Sequence, residues 1–148
     1  MKGIGQTLSD HHRLCDELFA TCEAAARGQR WSVAKDMYRR FADGLDAHMR
    51  AEESILFPAF ESATGITGGP TQAMREEHMQ MRDILERLRE VTSPHQTQIF
   101  ADLGQTLLIL MQQDNLKEEN VLYPLCDRCL MQGAGELADR IAEMLTAT

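Results

Sequence analysis

Four stretches of this sequence space their inward residues by alternating steps of four and three, a pattern that long helices packed along their lengths satisfy. Leu8, His12, Cys15, Phe19 and Cys22 form the first ladder, and Phe41, Leu45, His48, Glu52 and Ile55 the second. Met74, His78, Met81, Leu85 and Leu88 form the third, and Leu107, Met111, Asp114, Glu118 and Val121 the fourth. Side chains so spaced share one stripe of a helix, which must bury that stripe against its neighbours. Breakers separate the ladders: Gly28, the run SATGITGG at 62–69, Thr92-Ser93-Pro94 and Gly133-Ala134-Gly135. Pro70 suits the first turn of a helix, where no N–H is needed. The spacing predicts helices over 6–27, 31–61, 70–91 and 95–131, and a short one near 135–146. Four long helices on short connections predict an all-α fold, an antiparallel up-down four-helix bundle with a short C-terminal helix, in one domain over 1–148.

Each ladder is interrupted near its middle by His, Asp or Glu. An internal repeat aligns the interruptions. His12 to His48 is 36 residues, as is His78 to Asp114, so the two halves superpose at an offset of 66. The run His48-Met-Arg-Ala-Glu52-Glu53-Ser-Ile-Leu56-Phe57-Pro58 then falls on Asp114-Asn-Leu-Lys-Glu118-Glu119-Asn-Val-Leu122-Tyr123-Pro124. Leu8, Cys15 and Phe19 fall on Met74, Met81 and Leu85. The repeat also separates two adjacent histidines: His12 pairs with His78, whereas His11 pairs with Glu77. Helix pairs related in this way bring His12, His48, Glu52, His78, Asp114 and Glu118 to one level of the core.

That set is a metal-ligand set in its chemistry. The four-residue spacing of His48/Glu52 and Asp114/Glu118 puts each pair on one face, one turn apart. Three imidazoles and three carboxylates suit iron, manganese or zinc better than copper(I). Each glutamate has two oxygens and can bridge two ions. A lone histidine on such a seam is more often a hydrogen-bonded core residue than a ligand. Six acids and imidazoles at one height, with no Arg or Lys on any ladder, require a cation to offset their burial.

Other residues read as supporting. His11 and His95 are expected to face solvent. Glu53 and Glu119, one position off the seam, are expected at the surface or behind the ligands, and the methionines as packing. Cys15 and Cys22 read as small buried hydrophobes; Cys126-x-x-Cys129 is a lone CxxC, weak evidence for a redox pair or half a zinc site. A net charge of −8 argues against a nucleic-acid partner. No apolar run approaches the ~18 residues of a membrane span. The stretch MKGIGQTLSDHHR has no apolar core of signal-peptide length, which favours a cytoplasmic location.

The motif Hx₃EExxLFP from His48, the run Glu77-His78-Met79-Gln80-Met81-Arg82, and Lys117-Glu118-Glu119 with Leu122-Tyr123-Pro124 resemble the hemerythrin family, specifically bacterial hemerythrin-like HHE cation-binding domains. The resemblance runs from about Ser9 to Leu130. It implies an antiparallel four-helix bundle around a non-haem di-iron centre of two iron ions bridged by two carboxylates. His12, His48, His78 and Asp114 would be terminal ligands, and Glu52 and Glu118 the bridges. Family members bind dioxygen, sense oxygen or iron, or repair nitrosatively damaged iron centres. The sequence departs from the pattern at Asp114, where the family has His, and at Arg82, where dioxygen carriers complete an HxxxH pair. The Glu-x-x-His motif of ferritin-like proteins is absent: Ser9, Leu45 and Arg75 precede the three histidines. The leading expectation is a binding or sensing protein for a small ligand such as dioxygen, nitric oxide or peroxide. The alternatives are a di-iron carboxylate enzyme, peroxidase-like or iron-donating in repair, and a structural or zinc-bound helical module.

Overall fold

A computed structural model describes residues 2–146. Among them the protein is all-helical, with no strand. Helix α1 spans Ile4–Arg27 and α2 spans Trp31–Ala51. After a widened turn at Glu52–Leu56, the second run continues as α3, Phe57–Thr64. Gly65, at φ 73°, ends it in the left-handed conformation that a residue without Cβ adopts freely. Helix α4 spans Pro70–Val91. A 3₁₀ turn at Pro94–Gln96 leads into α5, Thr97–Lys117. A second widened turn, Glu118–Leu122, leads into α6, Tyr123–Cys129, and α7 spans Ala134–Thr146.

The second and fourth runs are therefore not the uninterrupted α-helices expected over 31–61 and 95–131. Each opens into one π turn, in which Phe57 N–H bonds Glu52 O and Tyr123 N–H bonds Glu118 O, five residues back. Pro58 and Pro124 stand immediately after these residues. Lacking an N–H, a proline cannot donate to the carbonyl four residues back, and the helix around it must adjust. The two turns sit at equivalent places of the internal repeat.

Two apolar clusters fill the interior. One gathers Cys15, Phe19, Phe41, Leu45, Met81, Leu85, Leu107 and Met111; the other gathers Leu8, Ile55, Leu56, Phe57, Phe60, Met74, Leu122 and Tyr123. On the first three ladders the polar interruption falls between a residue of one cluster and a residue of the other, and in the fourth run it falls between Met111 and Leu122. His12, for example, stands between Leu8 and Cys15, and His78 between Met74 and Met81.

Helix α7 breaks the symmetry of the repeat. It packs on α1, α2 and the first π turn, burying Ala138, Ile141 and Leu145. Ile55 is 6% exposed under it, whereas its repeat partner Val121 is 50% exposed. The expectation that Val121 completes an inward ladder is thus corrected. The π turn advances the helix phase, Leu122 becomes the buried residue, and no helix among the described residues covers Val121. None of the described helices is long and apolar enough to cross a membrane.

Candidate metal centre

Helix α1 supplies His12, α4 supplies His78, and the ends of α2 and α5 supply His48 and Asp114. Glu52 and Glu118 are the first residues of the two π turns. All six side chains are buried. His12 Nε2 lies 3.0 Å from Glu118 Oε1, and His78 Nε2 lies 3.2 Å from Glu52 Oε1 and 3.9 Å from Glu118 Oε2. His48 Nε2 is 3.6 Å from Glu52 Oε1. Two triads of donors result, each with its atoms within 4.8 Å of one another: His12, His48 and Glu118, and Glu52, His78 and Glu118. Glu118 belongs to both. Asp114 belongs to neither, but its Oδ2 is 3.9 Å from His78 Nε2.

The triads are incomplete as hydrogen-bonded structures. Glu52 Oε1, His78 Nε2, Asp114 Oδ1 and Glu118 Oε2 are buried without a hydrogen-bond partner. Orphaned buried polar atoms are costly, and native structures keep few of them. Here four come from one layer, and all are atoms that bind metal ions. The donor set thus fits a pair of hard-to-borderline cations sharing Glu118.

The electrostatics tell the same story. Burial, then the charge of Glu52, pushes the Glu118 carboxyl well above its ordinary value. Burial and Glu52 push Asp114 up to about 7. Glu52 itself is held well below its ordinary value: burial would raise it, but His48, Glu118 and His78 outweigh that. Three carboxyls in one dry layer cannot all ionise on their own, so one proton-free acid forces protons onto its neighbours.

Each histidine is gripped from behind, leaving Nε2 facing inward. His12 Nδ1–H donates to Glu119 Oε2 at 2.8 Å, and His78 Nδ1–H donates to Glu53 Oε2 at 2.8 Å. Each of these glutamates comes from the opposite half of the repeat. Arg82 clamps Glu53 with two bonds, at 2.8 and 2.9 Å. A carboxylate on Nδ1–H sets the tautomer that offers Nε2 to a metal. Glu53 and Glu119 are therefore orienting groups, one of the two roles expected. His48 differs: its Nδ1 meets His11 Nδ1 at 2.9 Å.

His11 corrects an expectation. It is 8% exposed and stacked on His48, with ring centroids 5.1 Å apart, because α2 and α7 flank α1 on that side. Its outer edge lines a surface cavity of about 420 Å³ with Leu14, Arg40 and Leu145. Tyr123, present in the sequence motif but not among the six expected site residues, also reaches the layer. Its buried hydroxyl donates to Glu52 Oε2 at 2.7 Å and lies within 3.3 Å of Glu118, His12 and His48. The repeat held the signal, since Tyr123 falls on Phe57 and adds one hydroxyl beside the polar layer. Cys126 is buried, Cys129 is exposed, and neither joins a metal-capable group among the described residues.

The family described as hemerythrin HHE cation binding domain matches residues 4–126. Two curated relatives are iron-sulfur cluster repair proteins named YtfE. That of Edwardsiella ictaluri is 31% identical over 54% of this chain and 40% of its own length. That of Dickeya chrysanthemi is 34% identical over 55% of this chain and 41% of its own length. The matched segment thus spans about two fifths of either relative. No solved structure matches the chain.

Proposed function

The chain belongs to the hemerythrin HHE cation-binding family, and from that premise we propose that it is a single di-iron module that binds or senses dioxygen, nitric oxide or peroxide. His12, His48, Glu52, His78, Asp114 and Glu118 are the residues proposed to hold the two ions, with manganese and zinc as the other metals this donor set accepts. The observation that carries this reading is the convergence of four orphaned buried donor atoms in one layer. An antiparallel up-down bundle is proposed as the scaffold. Its support is the order of the two apolar clusters, which reverses from α1 to α2 and again from α4 to α5.

When bound, the iron pair supplies a redox-active centre that accepts a small ligand. The protein's own contribution is to hold, orient and keep dry. Glu119 and Glu53 fix the rings of His12 and His78, and the clusters above and below exclude water. Glu118 presents Oε1 toward His12 and Oε2 toward His78, so it would be the residue shared by the two ions. The His12 side has two imidazoles and the His78 side one, because Asp114 stands where the repeat would put a partner for His48.

A second reading has a specific observation in its favour, the naming of both relatives as iron-sulfur cluster repair proteins. In that reading the module stores or donates iron. Mixing the reduced, iron-loaded protein with oxygen separates the two. Binding that reverses under vacuum supports the binding protein; iron release to a chelator on oxidation, or turnover, supports the repair or enzyme reading.

A further inference from the structure

Tyr123 is the group at the centre that six ligands leave unexplained. Its hydroxyl oxygen lies 3.2 Å from His12 Nε2, 3.3 Å from His48 Nε2 and 3.1 Å from Glu118 Oε1. His12 Nε2 and Glu118 Oε1 are themselves 3.0 Å apart. Donor atoms bound to one ion at about 2.1 Å stand roughly 3.0 Å apart along an octahedral edge and roughly 3.4 Å apart in a tetrahedron. A hydroxyl has one proton and can satisfy one acceptor, which here is Glu52. The three remaining spacings are those of a fourth corner of the polyhedron that His12, His48 and Glu118 begin.

We infer that Tyr123 is itself a metal ligand, binding the ion held by His12 and His48 through its phenolate oxygen. The exchange balances without any change of oxidation state. The O–H bond breaks, the oxygen's electron pair is given to the metal, and the proton is released to solvent, as with other protein ligands. The inference rests on the di-iron reading above and adds to it an inequality between the ions. In the other half of the repeat Phe57 takes this place, its ring 5.7 Å from that of His78 and stacked on it. An ion on the His78 side would gain no phenolate there.

The test uses the full chain loaded with ferric iron, with iron counts, visible absorption and resonance Raman measured on the same samples. Parent protein with about two irons should show a phenolate-to-iron charge-transfer band and enhanced tyrosine ring vibrations. Tyr123→Phe should lose both while keeping at least one iron. Tyr38→Phe should retain them, because the only other tyrosine bonds Leu85 O in the far cluster. Parent protein with two irons but no phenolate vibrations overturns the inference and leaves the di-iron reading standing. Vibrations that survive in Tyr123→Phe overturn it equally. A parent that binds no iron overturns both. Should Tyr123→Phe fail to fold, the parent's vibrations and their survival in Tyr38→Phe decide alone.

Discussion

Three imidazoles turn Nε2 toward the centre, and the groups behind them are not alike. Glu119 and Glu53 are carboxylates, whereas His48 is backed by the neutral ring of His11. Burial lowers the His11 value to about 4. The Glu53–His78 pair makes a prediction for the metal-free protein. Burial would raise Glu53, but hydrogen bonds from His78 and Arg82 bring it from 4.5 down to about 2. Burial would lower His78, but Glu52 and Glu53 raise it from 6.5 to about 9. A depressed acid stabilises above its unfolded value and loses that contribution as pH falls; a raised imidazole stabilises below its unfolded value and loses it as pH rises. The stability difference between parent and Glu53→Gln should therefore be full between pH 4.5 and 6.5. It should shrink toward pH 2 and narrow toward pH 9, where the Arg82 pair alone persists. Urea midpoints across pH measure it, and a flat difference contradicts the pair. The same variant should weaken metal affinity by about 10–100-fold, the usual cost of removing a group that orients a ligand.

Asp114 is the repeat partner of His48 and the carboxylate among the four terminal positions, and its free oxygen Oδ1 sits in the polar layer. An anionic ligand stabilises the oxidised metal, so Asp114→His should keep two irons and raise the reduction potential. Asp114→Ala should leave one ion under-occupied. Iron counts with potentiometry check both, and an alanine variant that matches the parent would make Asp114 a bystander. All six polar interruptions were legible as buried, because helix spacing fixes which face a residue takes. His11 was not. It lies 100° round from His12, and only the flanking helices decide whether that side meets solvent.

At the scale of elements, the long helices were legible to within a few residues and the π turns were not. A spacing of four and three assumes an unbroken α-helix, and one extra residue per turn shifts the phase beyond it. The prolines at 58 and 124, in register with the repeat, were the available sign. Helix α7 was expected, but what it covers could not be read from a repeat that does not include it. Its packing makes equivalent residues unequal. Ile55→Ala should cost about 2–5 kcal/mol, as for other large buried aliphatic side chains. Val121→Ala, at the same repeat position, should stay within about 0.5 kcal/mol, as for an exposed site. Equal costs in chemical denaturation would contradict the asymmetry.

At the scale of the molecule, two apolar clusters sandwich a layer of buried acids and imidazoles. The positive charge of His78, whose value is raised to about 9, offsets only part of the layer's three acids, so that Asp114 and Glu118 must hold protons until a cation enters. Burying an unpaired carboxylate costs several kcal/mol even after relaxation. The clusters therefore hold together a site that is unfavourable until a cation enters, and metal binding and folding are linked. The most direct measurement is the amount of iron bound per chain after anaerobic loading, for the parent and for Glu52→Ala and Glu118→Ala. Two irons in the parent, with Glu118→Ala losing more than Glu52→Ala because Glu118 serves both triads, is the result expected. One iron or none in the parent, or two irons undiminished in both variants, would contradict a dinuclear centre in this layer.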